Sequence, residues 1–211
     1  GRTETMRAVF GADASVAGRV FVDGQEIRIR TPRDAVEQGL CLLTEDRKTQ
    51  GLLLGLSCVE NITITDLAKV SRWGLLRHSA EERAADELVR ELRIKTPSIH
   101  QIVRNFSGGN QQKVVIAKWL FRGAKVLICD EPTRGIDVGT KEEIYELLWG
   151  LAAAGRGIVV VSSDLPELVA ICHRIIVFAH DRIVGEVKRS DFDQRRILSL
   201  AYEEVDLEPI H

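Results

Sequence analysis

The chain has 211 residues, is 45% hydrophobic and 28% charged, and carries a formal net charge of −2 at pH 7. That length accommodates one domain, or one domain with a subdomain, and is enough to bury a core. Charges of both signs are interspersed, which argues against a nucleic-acid partner, and no apolar run is long enough to cross a bilayer.

From the amino terminus, residues 4–10 (ETMRAVF) predict the tail of a helix ended by Gly11. The stretch GRVFVDGQEIRIR (18–30) alternates around Asp23-Gly24, the pattern of a β-hairpin. Pro32 opens a short helix over roughly 32–38, and LCLLT (40–44) is a buried strand stopped by the charged cluster Glu45-Asp46-Arg47-Lys48. From about 59 to 121 the chain reads as helical, with Ser79 and Glu82 at capping-box spacing ahead of Leu88 and Leu92. Strands and helices then alternate. KVLICDEPT (125–133) and GIVVVSSD (157–164) are buried strands. Ile144, Leu147, Leu148 and Leu151 mark a helix between them, and a shorter helix is expected near 165–171. RIIVFAHDRIVGEV (174–187) predicts a second hairpin through His180-Asp181. The fold class is therefore α/β with a mostly parallel core sheet, β-hairpins, and an inserted helical subdomain over about 59–121. The cysteines Cys41, Cys58, Cys129 and Cys172 form no C-x-x-C pair, and three stand in apolar runs, as reduced buried thiols of a cytosolic protein do.

Two stretches carry chemistry. The strand VLIC delivers Asp130 and Glu131 at its carboxyl end, where α/β proteins bind ligands. One acid there can hold Mg²⁺ through water while its neighbour orients or deprotonates an attacking water. A solvated acidic turn stopped by Pro132 accounts for the same residues taken alone. In NFSGGNQQKVV, Gly108 and Gly109 allow close backbone approach, Ser107 adds a hydroxyl, and the helix that follows offers free N–H groups to an anion. A glycine turn with a serine cap is the plainer alternative. The two stretches are separated by one amphipathic helix and one short turn.

Together, FSGGNQQKVVIAKWL, VLICDEPTRGIDVGTKEEIYELL and VVVSSDLPEL resemble the signature motif, Walker B, D-loop and switch region of an ABC transporter ATPase. The resemblance extends over essentially the whole chain. SGGN in place of SGGQ, the run DEPTRGIDVG and the upstream EDRKTQGLLLGLSCVENI resemble the second nucleotide-binding domain of a bacterial sugar-importer ATPase of the ribose, xylose, galactose or arabinose type. The resemblance implies a P-loop ABC-ATPase fold with ATP and Mg²⁺ as cofactors. It further implies that Ser107, Gly108, Gly109 and Gln111 form the signature, facing a nucleotide held by a partner domain. Asp130 is then the Mg²⁺-associated aspartate, Glu131 the catalytic base and Asp137 the D-loop aspartate. Gly1-Arg2-Thr3 matches the end of the Walker A loop, with Thr3 as the Mg²⁺-ligating hydroxyl.

Three positions depart from the family pattern. Glu45 stands where the Q-loop glutamine is expected, Ser163 where the switch histidine is expected, and Arg2 at the lysine position, where a planar fork replaces a compact ammonium. The chain's own nucleotide site is accordingly expected to be degenerate, with its signature completing the partner domain's site. Because the sequence opens inside the Walker A stretch, it is expected to be a fragment lacking the first P-loop strand, and inactive in isolation. Implied partners are the N-terminal nucleotide-binding domain of the same polypeptide, a transmembrane permease docking near Glu45–Lys48 and the helical insert, and, indirectly, a periplasmic or lipid-anchored sugar-binding protein. The expected location is the cytoplasmic face of the cell membrane. Two other readings stay open: an ABC-type ATPase of DNA repair or translation, which would call for a basic groove or long heptads, and a non-hydrolysing structural domain.

Overall fold

A computed structural model describes residues 1–14 and 17–202. Helix α1 (Arg2–Val9) closes at Gly11, whose φ of 76° and lack of a side chain let the backbone pass Ile29 and Thr31, where a Cβ would sit 2.8 Å from both. Strands β1 (Val20–Val22) and β2 (Gln25–Ile27) form the first hairpin, with Asp23 and Gly24 both left-handed as a type I′ turn requires. Helix α2 (Pro32–Glu37) starts on a capping box between Thr31 and Asp34 and leads into β3 (Leu40–Leu43), every residue of which is buried.

The stretch expected to be helical from 59 to 121 is not one helical run. It comprises α3 (Cys58–Thr63), a 3₁₀ segment, a two-residue-per-strand hairpin of β4 (Ser71–Arg72) and β5 (Leu75–Leu76), α4 (His78–Glu91), an extended connection, and α5 (Gly108–Arg122). The capping box expected at Ser79 and Glu82 does not form. The Arg77 N–H is held by the Val70 carbonyl at 2.8 Å, so the chain turns into α4 at His78 and Ser79 already lies inside its first turn. A box of the same spacing forms instead at Ser57 and Glu60, ahead of α3.

Strand β6 (Val126–Asp130) pairs in parallel with β3 on one side and with β7 (Gly157–Val161) on the other, giving the order β3-β6-β7. Helix α6 (Val138–Ala153) connects β6 to β7. After it come α7 (Leu165–Ile171), the second hairpin of β8 (Arg174–Ala179) and β9 (Arg182–Lys188), and α8 (Gln194–Tyr202). The pleat sorts the strands' apolar side chains between two cores. Cys41, Leu43, Leu127 and Cys129 face a large cluster with α3, α5 and α6, while Leu40, Leu42 and Ile128 meet Phe10 and Ala35 on the other face. Burial pushes the thiols of Cys41, Cys58 and Cys129 up to about 12, and all four cysteines are free; of the three in apolar runs Cys41 and Cys129 are buried, whereas Cys172 is half-buried and Cys58 is buried in its stead. Among the described residues the far edge of β7 pairs with no strand, and an apolar cavity of about 780 Å³ lies between β7 and β8. No helix among the described residues is long and apolar enough to cross a membrane.

Candidate functional site

The parallel strands β3, β6 and β7 run in one direction, so their carboxyl ends release three loops at one edge of the sheet. A cleft of about 630 Å³ opens there, lined by Arg2, Thr3, Glu45, Glu131, Ser163 and the loop around Arg134. Asp130 ends β6 with only 4% of its surface exposed, and accepts a hydrogen bond from Thr3 Oγ1 at 3.2 Å. Burial raises its pKa above the ordinary carboxylate value, with the Glu131 charge adding to the rise and Thr3 and Arg2 opposing it. Arg2 donates to the Ser162 carbonyl at 2.7 Å, which ties the start of α1 to the end of β7.

Glu131 has a left-handed backbone, φ 48°, uncommon for a residue with a side chain. Two bonds to the β7 end hold it. Its N–H donates to the Val161 carbonyl at 2.8 Å, and its Oε1 accepts from the Ser163 N–H at 2.7 Å. Ser163 thus acts through its backbone, at the position where the resemblance led us to expect an imidazole.

The glycine segment lies elsewhere. Ser107 caps α5, its Oγ accepting from the Asn110 N–H at 3.4 Å and from the Asn110 side-chain amide at 3.0 Å. A Cβ on Gly108 would stand 2.7 Å from Arg47 Nη2 and 3.1 Å from the Gly135 carbonyl, and one on Gly109 would overlap Thr140 Cγ2. Gly108 lets the start of α5 lie against the loop that follows β6, and Gly109 lets it lie against the first turn of α6. Asp137 caps α6 from that loop, accepting from the Thr140 N–H at 3.0 Å. Gln111 is buried and donates its amide to the Val103 carbonyl at 3.1 Å, so its amide is turned inward rather than toward the surface.

The structure thus gathers Arg2, Thr3, Glu45, Asp130, Glu131 and Ser163 at one cleft and places Ser107, Gly108, Gly109, Gln111 and Asp137 outside it. Gly1 precedes α1 and is exposed.

Sequence reasoning missed three residues. Arg47 is buried and donates to the carbonyls of Arg134, at 2.7 Å, and Gly135, at 3.4 Å, linking the segment after β3 to the loop after β6. Arg134 itself forms an ion pair with Glu45. Glu167 is only 2% exposed and accepts from the hydroxyls of Thr133 and Ser162, so one carboxylate joins the loops after β6 and β7. The charged cluster 45–48 is accordingly not a free solvated loop: Glu45 and Arg47 are engaged, and Asp46 caps the turn that follows through the N–H groups of Lys48 and Thr49.

Among the described residues no group of three or more His, Cys, Asp or Glu side chains has the geometry to hold a metal ion. The Thr3 hydroxyl and Asp130 carboxylate nevertheless form a hard, all-oxygen donor pair. Two protein oxygens suit Mg²⁺, which keeps waters and takes phosphate oxygens for its remaining positions.

The ABC transporter family profile matches residues 1–134, well over half of the sequence. The chain belongs to the ABC transporter family. Among its relatives in that family, Arabinose import ATP-binding protein AraG of Rhizobium etli is 48% identical over 202 residues, covering 95% of this chain and 40% of the relative. Ribose import ATP-binding protein RbsA of Chelativorans sp. is 45% identical over 210 residues, covering 100% of this chain and 41% of the relative. The chain therefore spans about two fifths of the length of these relatives. Solved ATP-binding cassettes share the fold. MJ0796, in a dimeric post-hydrolysis state bound to ADP and Pi, superposes with a TM-score of 0.72 at 22% identity, over 91% of this chain and 82% of that one. MJ1267 in its ADP conformation gives 0.76 at 17% identity, over 97% and 84%.

Proposed function

We propose that the chain is the second, C-terminal nucleotide-binding domain of an ATP-driven carbohydrate importer, with residues about 59–121 as its helical subdomain. The observation that carries this reading is the cleft at the carboxyl ends of the parallel strands, where Arg2, Thr3, Asp130 and Glu131 converge as a phosphate-handling set. The sugar-import names of its relatives support the substrate class. In this reading Arg2 would bind phosphate oxygens, Thr3 and Asp130 would hold Mg²⁺, and Glu131 stands at the position of the general base without completing the step here. Mg²⁺ held there would supply Lewis-acid stabilisation of charge on phosphate oxygens.

The site is degenerate for hydrolysis. Ser163 offers no imidazole, and its N–H occupies the carboxylate of Glu131. Glu45 is committed to Arg134 rather than presenting an amide. The Ser107-Gly108-Gly109 segment serves the other domain's nucleotide, with free N–H groups at the start of α5 as donors. The assembly works at the cytoplasmic face of the membrane. Its partners are the first nucleotide-binding domain of the same polypeptide, a transmembrane permease and, through that permease, a periplasmic or lipid-anchored sugar-binding protein.

Steady-state ATPase activity of the assembled transporter tests this. Glu131→Gln should leave turnover nearly unchanged, while the corresponding change in the first domain should remove a general base worth about 10²–10⁴ in rate. Equal, severe losses from both changes would show two working sites or tight coupling between them, and would overturn the degenerate-site reading.

A further inference from the structure

The tip of the β4–β5 hairpin differs from the rest of the surface. Trp73 and Gly74 join the strands at φ 58° and 79°, the two left-handed positions of a type I′ turn. Asn-Gly suits such a turn. A bulky side chain at its first position crowds the backbone, which is locally unfavourable. Packing within the chain does not offset this. Trp73 is 89% exposed and Leu75 is 74% exposed, and neither joins any of the three hydrophobic clusters.

The charge around the tip is one-sided. Residues 69–78 include Lys69, Arg72 and Arg77 and no carboxylate, in a chain whose net charge is −2. Lys69 is spoken for by the Phe121 carbonyl and Asp66. Arg72 and Arg77 are exposed, and among the described residues their side chains make no hydrogen bond or ion pair. The hairpin is rooted at the carboxyl end of α5 by the Lys69–Phe121 contact and by Arg122, which pairs with Asp66 at 2.9 Å. Ser107 sits at the opposite end of that 15-residue helix, about 22 Å away.

We propose that this hairpin is an interfacial anchor for an anionic lipid surface. Trp73 and the neighbouring leucines enter the headgroup boundary, and Arg72 and Arg77 engage lipid phosphates. The tip projects outward and lines neither of the two cavities described above. A rigid protein partner would have to supply a fitted pocket for a protruding indole, whereas a bilayer interface accepts an amphipathic ring at any position along it. Arginines that no described carboxylate pairs with complement anionic headgroups. The proposal goes beyond the importer reading and does not depend on it.

The test uses the full-length polypeptide with vesicles of phosphatidylcholine, alone or with about one third phosphatidylglycerol. Flotation should show binding to the anionic vesicles that weakens as salt rises. Tryptophan emission should shift to the blue on binding, and the shift should vanish in Trp73→Asn. Asparagine suits the left-handed turn, so that variant should melt no earlier than the parent while its vesicle partition falls roughly tenfold. Arg72→Gln combined with Arg77→Gln should lower partition onto anionic vesicles by roughly tenfold or more and leave binding to neutral vesicles unchanged. Equal partition of parent and Trp73→Asn, or equal binding to neutral and anionic vesicles, would overturn the proposal.

Discussion

In the cleft at the end of β6, side chains tie the loops together: Glu131 to Ser163, Thr3 to Asp130, and Glu167 to Thr133 and Ser162. At the start of α5 the reverse holds. Gly108 and Gly109 lie against Arg47, Gly135 and Thr140 with no space left for a side chain. The first region is a hydrogen-bonded network, in which a substitution removes one tie and leaves the others. The second is a steric fit, in which the smallest added group displaces a neighbour. Chemistry and packing therefore fail differently in the two places, and substitutions can separate them.

The largest effect is expected at Gly108. If the start of α5 serves a partner domain's nucleotide, as proposed, Gly108→Asp puts a carboxylate against that phosphate and should lower ATP turnover of the assembled protein by about 10²-fold or more, as disruption of preorganised donors does. Unchanged turnover would separate the segment from the reaction altogether. Gly109→Ala comes next, because its methyl group meets Thr140 Cγ2. It should cost about 3 kcal/mol of stability in chemical denaturation. Thr140→Ser deletes that methyl while keeping the hydroxyl bound to Asp137, so the double variant should recover at least half of the loss. No recovery would mean that the fit at Gly109 is not with Thr140.

Effects in the networked regions should be smaller. Glu167→Gln leaves one of two buried hydroxyls facing an amide N–H in place of an acceptor, at a cost of about 2 kcal/mol by denaturation. A change below the error of that measurement would show that the two loops are held by other contacts. The smallest effect concerns Glu143, which joins α6 to α5 by accepting from buried Lys113 and from Lys95, each at 2.8 Å. Those hydrogen bonds hold its pKa down to about 2, against an ordinary value of 4.5. A depressed carboxylate stabilises the fold above its unfolded pKa and loses that contribution as the pH falls. Glu143→Gln should therefore destabilise by about 1 kcal/mol at neutral pH, discounted for partial exposure, and the gap should close between pH 4.5 and about 2. A gap independent of pH would rule out the ion pair as its cause.

The sequence made the sheet readable because β3 and β6 are continuous apolar runs, and the carboxylates at the end of β6 mark where the third dimension begins. The β1–β2 hairpin was legible through Asp-Gly, whereas β4–β5 was not, since Trp-Gly is no recognised turn pair. Ser79 and Ser57 have the same capping spacing, and the β4–β5 hairpin, closed by the bond from Arg77 to Val70, starts α4 one residue before Ser79 so that it does not cap. Of the cleft, Asp130 and Glu131 were visible from position and Arg2, Thr3 and Ser163 from the resemblance. Arg47 and Glu167 were not, because burial of a charge between two distant loops leaves no local pattern. The inward turn of Gln111 was hidden for the same reason.

The left-handed backbone of Glu131 makes one residue the site of a trade between durability and chemistry. Glycine adopts that conformation without crowding, and relief of about 1–2 kcal/mol corresponds to a gain of roughly 2–8 °C in melting temperature for a domain of this size. Against that stand the lost carboxylate and its bond to the Ser163 N–H. A population of variants screened only for survival on heating would drift away from glutamate at this position, and one screened for turnover would be drawn back wherever the carboxylate still does chemistry. Glutamate at φ 48° keeps the tie to the Ser163 N–H at the cost of that crowding.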